Sequence, residues 1–298
     1  MVTNKRERIS TPDDDFIDLD WSKKGFDKLV LVLHGLEGDA SRPYVQGMIR
    51  LFNQNGYDGV GMNFRGCSGE MNKALRMYHN GEIEDVGLVL RHIEEKYQYG
   101  EIVLIGFSLG GNVTLNYVAR SGQEVHPLLK KAVAFSVPTD LVASAKVLDG
   151  EWFNSKVYVK RFLKQLYEKA RLKEQQYPGT FDLPKIKKFT TFHDFDHHVT
   201  AKVSGFESAI DYYTKASSLP HLKNIAIPTL IVNAKNDSFL SESSYPFDAA
   251  HNHPFVYLEV PKHGGHVGFA QYDKNGVYYS EKRALDFVLE RGDFANLI

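Results

Sequence analysis

The chain has very little cysteine and no excess of charge of either sign. Its 298 residues include one cysteine, Cys67, which excludes an intramolecular disulfide and favours a reducing compartment. The 36 basic side chains are balanced by 37 acidic ones, for a formal net charge of −1. This balance provides no electrostatic footprint for nucleic acid or for an anionic membrane surface. We therefore expect no nucleic-acid partner.

Long apolar segments are also lacking. Residues 1–8 are charged and have no apolar core, so they do not resemble a signal peptide. The longest apolar runs, such as residues 29–33, have the length of a strand and are far too short to span a bilayer. We therefore expect a cytoplasmic protein with no transmembrane segment. The hydrophobic content of 43% is ordinary for a globular protein.

Strand and helix patterns alternate along most of the chain. The apolar–polar alternation at 16–21 predicts a half-buried antiparallel strand at a sheet edge. Buried strands are predicted at 28–34, 59–63, 102–105, 132–136, 228–233 and 255–259, and helices at 43–55, 83–97, from 112 onward, at 245–250 and at 281–289. The alternation predicts an α/β fold with a mostly parallel central sheet and helices on both faces.

The pattern changes between residues about 142 and 220, which are helical, basic and aromatic without a convincing strand. One helix face there is apolar and consists of Val159, Phe162, Leu163, Leu166, Tyr167 and Ala170. We interpret this segment as a helical cap inserted into a single domain that spans residues 1–298. Ordinary surface helices would give the same pattern, so the alternative stays open.

Ser108 lies between a predicted buried strand and a predicted helix, within the segment GFSLG at 106–110. The flanking glycines remove side chains that would clash in a sharp turn, as in the G-x-S-x-G nucleophile elbow. A glycine-rich turn with an incidental serine is the alternative. A phosphate or dinucleotide loop is excluded because the glycine spacing is wrong and the lysine is missing.

A serine nucleophile needs a base and a carboxylate that orients it, and both follow in the order expected for such sheets. Asp237 comes after the predicted strand at 228–233, and His266 comes after the strand at 255–259. His263 is an alternative base, but the paired glycines before His266 suit a loop that approaches the serine closely. Glu259 is an alternative acid, but it lies inside a strand pattern.

The negative charge of a tetrahedral intermediate requires an oxyanion hole. One predicted donor is the N–H of Leu109, directly after the serine. The other is the N–H of Leu36, in the loop HGLEG at 34–38 after an early strand. A strand that ends in His-Gly is often followed only by a turn. The loop indicates an oxyanion hole only in combination with the elbow at Ser108.

Two further features are weaker candidates. The segment HDFDHH at 193–198 contains metal-ligand side chains, but consecutive residues rarely converge on one ion without partners elsewhere. We therefore expect a polar loop near the cap and no metal site. Cys67 has no neighbouring motif that would activate it, so we expect a packed small residue.

With these residues in place, the chain resembles the α/β-hydrolases, and more narrowly the YheT-like branch related to the abhydrolase-domain lipases. The resemblance runs from about residue 8 to residue 266. It is carried by FIDLDW at 16–21, HGLEG at 34–38, MNFRGCSGE at 62–70, YHNGE at 78–82, the elbow, Phe195-Asp196 with Thr200, Gly205-Phe206, DYY at 211–213 and GGH at 264–266. Many members of the branch have a proline after the acid, where this chain has Ser238.

The resemblance implies a Ser108–Asp237–His266 triad and hydrolysis or acyl transfer on short- to medium-chain acyl groups, without a cofactor. We therefore expect a serine esterase with a small-molecule acyl ester or a lipid-like substrate. Two alternatives remain open at this point. One is an acyltransferase or thioesterase that uses the same triad, and the other is a non-catalytic binding protein of the same fold.

Overall fold

The computed structural model describes residues 5–151, 155–251, 253–270 and 276–291. Their strands are β1 (Lys5–Ser10), β2 (Phe16–Ser22), β3 (Lys28–Leu33), β4 (Asp58–Asn63), β5 (Glu101–Phe107), β6 (Leu129–Phe135), β7 (Thr229–Val232) and β8 (Val256–Glu259). They form one sheet in the order β1-β2-β4-β3-β5-β6-β7-β8. β2 pairs antiparallel with β1 and β4, whereas every neighbouring pair from β4 to β8 is parallel. The predicted mostly parallel sheet is confirmed.

Helices cover both faces of the sheet, as the alternating pattern predicts. They are α1 (Pro43–Asn53), α2 (Glu84–Lys96), α3 (Leu109–Ser121), α4 (Leu141–Gly150), α5 (Lys160–Gln176), α6 (Leu183–Ile186), α7 (Phe192–Phe195), α8 (Ala201–Ser204), α9 (Ala209–Ala216), α10 (Phe247–His251) and α11 (Tyr279–Val288). In β3, Leu29 and Leu31 pack with α2 and α3, whereas Val30 and Val32 pack with α1 and α11. Among the described residues, no helix is both long and apolar enough to cross a membrane.

The prediction for β2 was wrong in two respects. β2 is the second strand of the sheet rather than its edge, and it is buried along its whole length. The outer strand, β1, was not predicted because its residues are mostly charged. Arg6 and Arg8 lie opposite Asp20 and Asp18 and form paired hydrogen bonds with them at 2.7–2.8 Å. These cross-strand ion pairs let the polar side of β2 be buried.

The chain between β6 and β7 is helical in the part that the structure describes, with helices α4 to α9 and no strand. Two π-helical turns interrupt it, Ser155–Val159 and Asp196–Thr200. The predicted apolar face of α5 is confirmed, because Leu163, Leu166 and Ala170 are buried in one cluster with Val159. This cluster faces Leu36, which follows β3. The segment therefore packs against the carboxyl-terminal ends of the parallel strands.

Candidate active site

Three parallel strands bring the predicted catalytic side chains to one edge of the sheet. Ser108 directly follows β5, Asp237 lies in the loop after β7, and His266 lies in the loop after β8. The carboxyl ends of parallel strands share an edge, so residues distant in sequence meet there. The fold thus explains why these three positions converge.

Ser108 occupies the single position between β5 and α3, with φ 52° and ψ −117°. This backbone conformation costs on the order of 1–3 kcal/mol for a residue with a side chain. The Ser108 N–H donates to the carbonyl oxygen of Phe135 at 2.8 Å, which fixes the turn against β6. A Cβ on Gly106 would overlap the Gly110 carbonyl group, and a Cβ on Gly110 would lie 2.5 Å from the His34 carbonyl oxygen. The two glycines are therefore required for the turn.

His266 lies between Ser108 and Asp237. Its Nε2 is 2.9 Å from Ser108 Oγ, and its Nδ1 is 2.9 Å from Asp237 Oδ2 and 3.1 Å from Oδ1. The Asp237 side chain is fully buried and accepts from Nδ1, which assigns the proton to Nδ1 and leaves Nε2 free to accept from the serine. The structure thus brings together all three residues that the sequence predicts.

Phe239 holds the imidazole ring from one side. Its ring stacks on His266 at a centroid distance of 3.9 Å and an angle of 16°. The backbone N–H of Phe239 also donates to Asp237 Oδ1 at 3.0 Å. The same residue therefore contacts both the imidazole and the carboxylate.

Two side chains that the sequence analysis missed support the histidine loop. Asn236 Oδ1 accepts from the N–H groups of Gly264 and Gly265, each at 2.9 Å. Ser136 Oγ accepts from the N–H of Val267 at 2.9 Å. The only available signal was that Asn236 is adjacent to the predicted acid, and spacing alone does not assign it a role.

The alternative base and acid lie elsewhere. His263 is exposed to solvent on the loop that precedes Gly264. Glu259, at the end of β8, accepts hydrogen bonds from Tyr279 and Arg283. The carboxylate in contact with His266 is that of Asp237.

The two predicted oxyanion donors, Leu36 and Leu109, line the same cavity as Ser108 and His266. Leu109 is the first residue of α3, so its N–H has no partner within the helix. The N–H groups on either side of Leu36 are occupied, since Gly35 donates to Tyr44 OH at 3.0 Å and Glu37 donates to Tyr78 OH at 2.9 Å. Within the described ranges, the N–H groups of Leu36 and Leu109 meet no protein acceptor. Both can therefore donate to a substrate oxygen.

His34 has a structural role under this loop. Its Nδ1 donates to the carbonyl oxygen of Gly35 at 2.8 Å, and its Nε2 accepts from the N–H of Phe64 at 3.1 Å. The side chain is completely buried, and burial lowers the pKa of His34 to about 4. The neutral ring thus ties the loop after β3 to the end of β4.

The cavity above Ser108 has a volume of about 120 Å³ and is walled mostly by apolar side chains. Those from the helical segment are Leu141, Ala145, Leu148, Phe162, Leu166, Phe192 and Phe195. Phe162 packs edge-on to Phe239, so the helical segment and the ring that supports His266 are in contact. The arrangement can hold an apolar group next to an activated hydroxyl.

The prediction of a polar loop at 193–198 was wrong, because this segment is helical, lying in α7 and the π-helical turn that follows, and Phe195 and Asp196 line the cavity. Asp196 accepts from Thr200 Oγ1 at 2.6 Å and from Tyr213 OH at 2.7 Å, and burial raises its pKa to about 6. His193 stacks on His197. Among the described residues, no three potential ligands converge on a point that would hold a metal ion.

A family model described as the alpha/beta hydrolase fold matches residues 28–271. Escherichia coli YheT, a protein named as a candidate esterase, is 37% identical over 88% of this chain and 78% of its own length. Human phospholipase ABHD3 is 30% identical over 97% of this chain and 71% of its own length. Among solved structures, the Pyrococcus furiosus esterase Pf2001 has the same fold, with a TM-score of 0.64, 21% identity and coverage of 96% of this chain and 91% of that one. These matches, together with the fold and the elbow, show that the chain belongs to the α/β-hydrolase family, in the branch that contains YheT and the abhydrolase-domain phospholipases.

Proposed function

We propose that the protein is a serine hydrolase that cleaves carboxylic esters through an acyl-enzyme intermediate on Ser108. The supporting observation is the unbroken chain of contacts from Asp237 through His266 to Ser108, with 2.9 Å on each side of the imidazole. The general class follows from the family: this chain is an enzyme of the esterase and lipase type, because its relatives are named as esterase-type and phospholipase enzymes.

In the first half-reaction, Ser108 Oγ attacks the carbonyl carbon of the ester while His266 Nε2 accepts its proton. The imidazolium that forms is stabilised by the carboxylate of Asp237, which also holds the ring in the productive orientation. The tetrahedral intermediate then collapses, the bond to the alcohol oxygen breaks, and His266 returns the proton to that oxygen. The acyl group remains on Ser108.

In the second half-reaction, His266 removes a proton from water, and the hydroxide oxygen attacks the acyl-enzyme. The carboxylic acid leaves, and Ser108 regains its proton from His266. In both half-reactions the N–H groups of Leu36 and Leu109 donate to the oxyanion. Removal of one such donor typically lowers kcat by about 10²–10³-fold.

The size of the cavity supports a short acyl chain. A cavity of about 150 Å³ accommodates a molecule of benzene. A volume of about 120 Å³ therefore suits an acyl group of roughly five heavy atoms. This corresponds to the short end of the short- to medium-chain range, with a small-molecule ester or a lipid-like ester as substrate. Residues about 142–220 act in this proposal as the cap of a single α/β-hydrolase domain.

We also propose a cytoplasmic location. Cys67 is a buried free thiol, and a chain with a single unpaired cysteine suits a reducing compartment.

Labelling with a fluorophosphonate probe tests the nucleophile. Ser144 lines the same cavity and is hydrogen-bonded to Ser244, so Ser144→Ala is the matched control. We expect the wild type and Ser144→Ala to be labelled and Ser108→Ala to be unlabelled. Persistent labelling of Ser108→Ala would refute the proposal. Product analysis with an added alcohol separates hydrolysis from acyl transfer, because hydrolysis alone forms no new ester.

A further inference from the structure

A buried ion pair connects the cap helix α5 to the oxyanion loop. Lys169 Nζ lies 2.9 Å from Glu37 Oε1, and the two side chains are only 13% and 6% exposed. Cys67 Sγ lies 2.9 Å from the same Nζ, and the ring of Tyr78 has its centroid 4.6 Å away. Burying two charges costs several kcal/mol per ion before their attraction is counted. A pair of this kind is therefore a weak source of stability, and its location suggests another role.

Glu37 is the residue directly after the proposed oxyanion donor Leu36, and its backbone is left-handed, with φ 53°. Three contacts from other parts of the chain fix it there. Its N–H donates to Tyr78 OH at 2.9 Å, its carboxylate accepts from the same hydroxyl at 2.6 Å, and its carbonyl oxygen accepts from Arg42 at 2.9 Å. A non-glycine residue keeps such a conformation only where its surroundings impose it.

Glu37 is the anion that balances Lys169. Burial raises the pKa of Cys67 to about 11, so its thiol stays protonated at neutral pH. The Tyr78 hydroxyl is buried too, and burial keeps its pKa well above the ordinary value. The carboxylate of Glu37 consequently receives a charged donor from the cap and a neutral one from Tyr78.

We propose that Lys169 is a positioning residue: by holding Glu37, it keeps the N–H of Leu36 directed at the oxyanion. The inference rests on the proposed function, because it assigns Lys169 to the oxyanion hole of that reaction. Misplacement of a catalytic group by about 1 Å can cost about 10²-fold in rate. The cap then contributes to the chemical step as well as enclosing the acyl group.

The test compares Lys169→Met with Lys164→Met, which removes an exposed lysine from the same helix. With a chromogenic butyrate ester, we expect Lys169→Met to lower kcat about 10- to 100-fold and to change KM less than about 3-fold. Lys164→Met should match the wild type. A rise in KM with kcat unchanged would overturn the proposal, because it would mean that Lys169 only binds substrate or only holds the cap.

Two further measurements keep the test valid if one variant is unstable. Glu37→Gln, made separately, should lower kcat by a similar factor, and the double variant should lose no more than the worse single variant. A trifluoromethyl ketone adds to the serine and forms an adduct that carries an oxyanion. Its affinity for Lys169→Met and for Glu37→Gln should therefore fall by the same factor as kcat/KM. Multiplicative losses in the double variant, or unchanged ketone affinity, would contradict the proposal.

Ser108→Ala distinguishes this failure from failure of the proposed function. If Ser108→Ala retains the wild-type rate, the proposed function is wrong, and the role of Lys169 falls with it. If Ser108→Ala is inactive while Lys169→Met has the wild-type kcat, only the positioning role is wrong.

Discussion

The two sides of the active-site cavity are built in different ways. On the sheet side, Ser108, Asp237 and His266 each follow a strand end and are held by short loops and backbone hydrogen bonds. On the side of the proposed cap, the wall consists of side chains from α4, α5 and α7, and two π-helical turns interrupt this segment. The sheet side therefore holds the proposed catalytic side chains, whereas the cap side supplies the apolar wall and, through Lys169, contacts the oxyanion loop. We expect substitutions on the two sides to have different kinetic signatures.

The largest effect is expected from the base on the sheet side. His266→Gln should lower kcat by about 10⁴-fold or more, because Ser108 then has no group that accepts its proton. His263→Gln changes an exposed histidine in the same loop and should stay within about 3-fold of the wild type. Steady-state kinetics on a butyrate ester measure both. Comparable losses in the two variants would remove the distinction between the bases.

The next effect concerns stability and separates a buried sheet-side histidine from an exposed cap histidine. Burial lowers the pKa of His34 to about 4, below its ordinary value of 6.5, because the charged ring is disfavoured. As the pH falls below 6.5, the unfolded chain binds this proton first. The stability contributed by neutral His34 is thus complete above 6.5 and declines until about pH 4.

Urea unfolding at two pH values measures this contribution. The stability advantage of the wild type over His34→Gln should shrink by about 2–3 kcal/mol between pH 7.5 and pH 4.5. As a control, His193→Gln, which removes an exposed histidine from α7, is measured at the same two pH values. A constant difference for His34→Gln would show that His34 is not buried as a neutral ring.

A smaller kinetic effect is expected from the support of the histidine loop. Asn236→Ala removes the acceptor for two loop N–H groups, so we expect kcat to fall about 10- to 30-fold while the fold persists. Lys235→Ala, at the adjacent exposed position, keeps its backbone contact to Pro261 and should leave kcat unchanged. An unaffected Asn236→Ala would show that the loop holds its geometry without this side chain.

The smallest effect is expected from the apolar wall that the cap contributes. Phe162→Ala removes a side chain from the wall and so enlarges the cavity. The enzyme should then prefer a longer acyl chain, with kcat/KM for long-chain esters raised several-fold to about 10-fold. Tyr167→Ala is the control, since Tyr167 packs in the same cluster without lining the cavity. Turnover of a series of esters with increasing acyl length measures the shift. An unchanged chain-length profile in Phe162→Ala would indicate that the acyl group lies elsewhere.

On the sheet side, the positions of Ser108, Asp237 and His266 at strand ends could be predicted from local motifs and from their order along the chain. The glycines around Ser108 are required by the elbow itself, and the order of Asp237 and His266 follows from parallel strand topology. β1 was missed because a charged strand has no apolar alternation. Its arginines are explained only by the aspartates of β2, and the pairing becomes visible in the folded sheet.

The cap side could be predicted only as a helical segment with one apolar face. Which side chains reach the cavity depends on contacts between residues far apart in sequence, such as Lys169 with Glu37 and Asn80 with Tyr212. Hydrophobic periodicity gives the face of a helix, but it does not give the partner of that face. Asn236 and Ser136 were missed for the same reason, since their role depends on backbone N–H groups of a distant loop.

The proposed reaction requires Ser108 to carry the acyl group. Peptide mapping by mass spectrometry, after reaction of the wild type with a fluorophosphonate, identifies the residue that is modified. We expect a single stoichiometric adduct on Ser108, which disappears when His266 is replaced by glutamine. An adduct on another residue would show that Ser108 is not the nucleophile, and undiminished labelling of the His266→Gln variant would show that His266 is not its base.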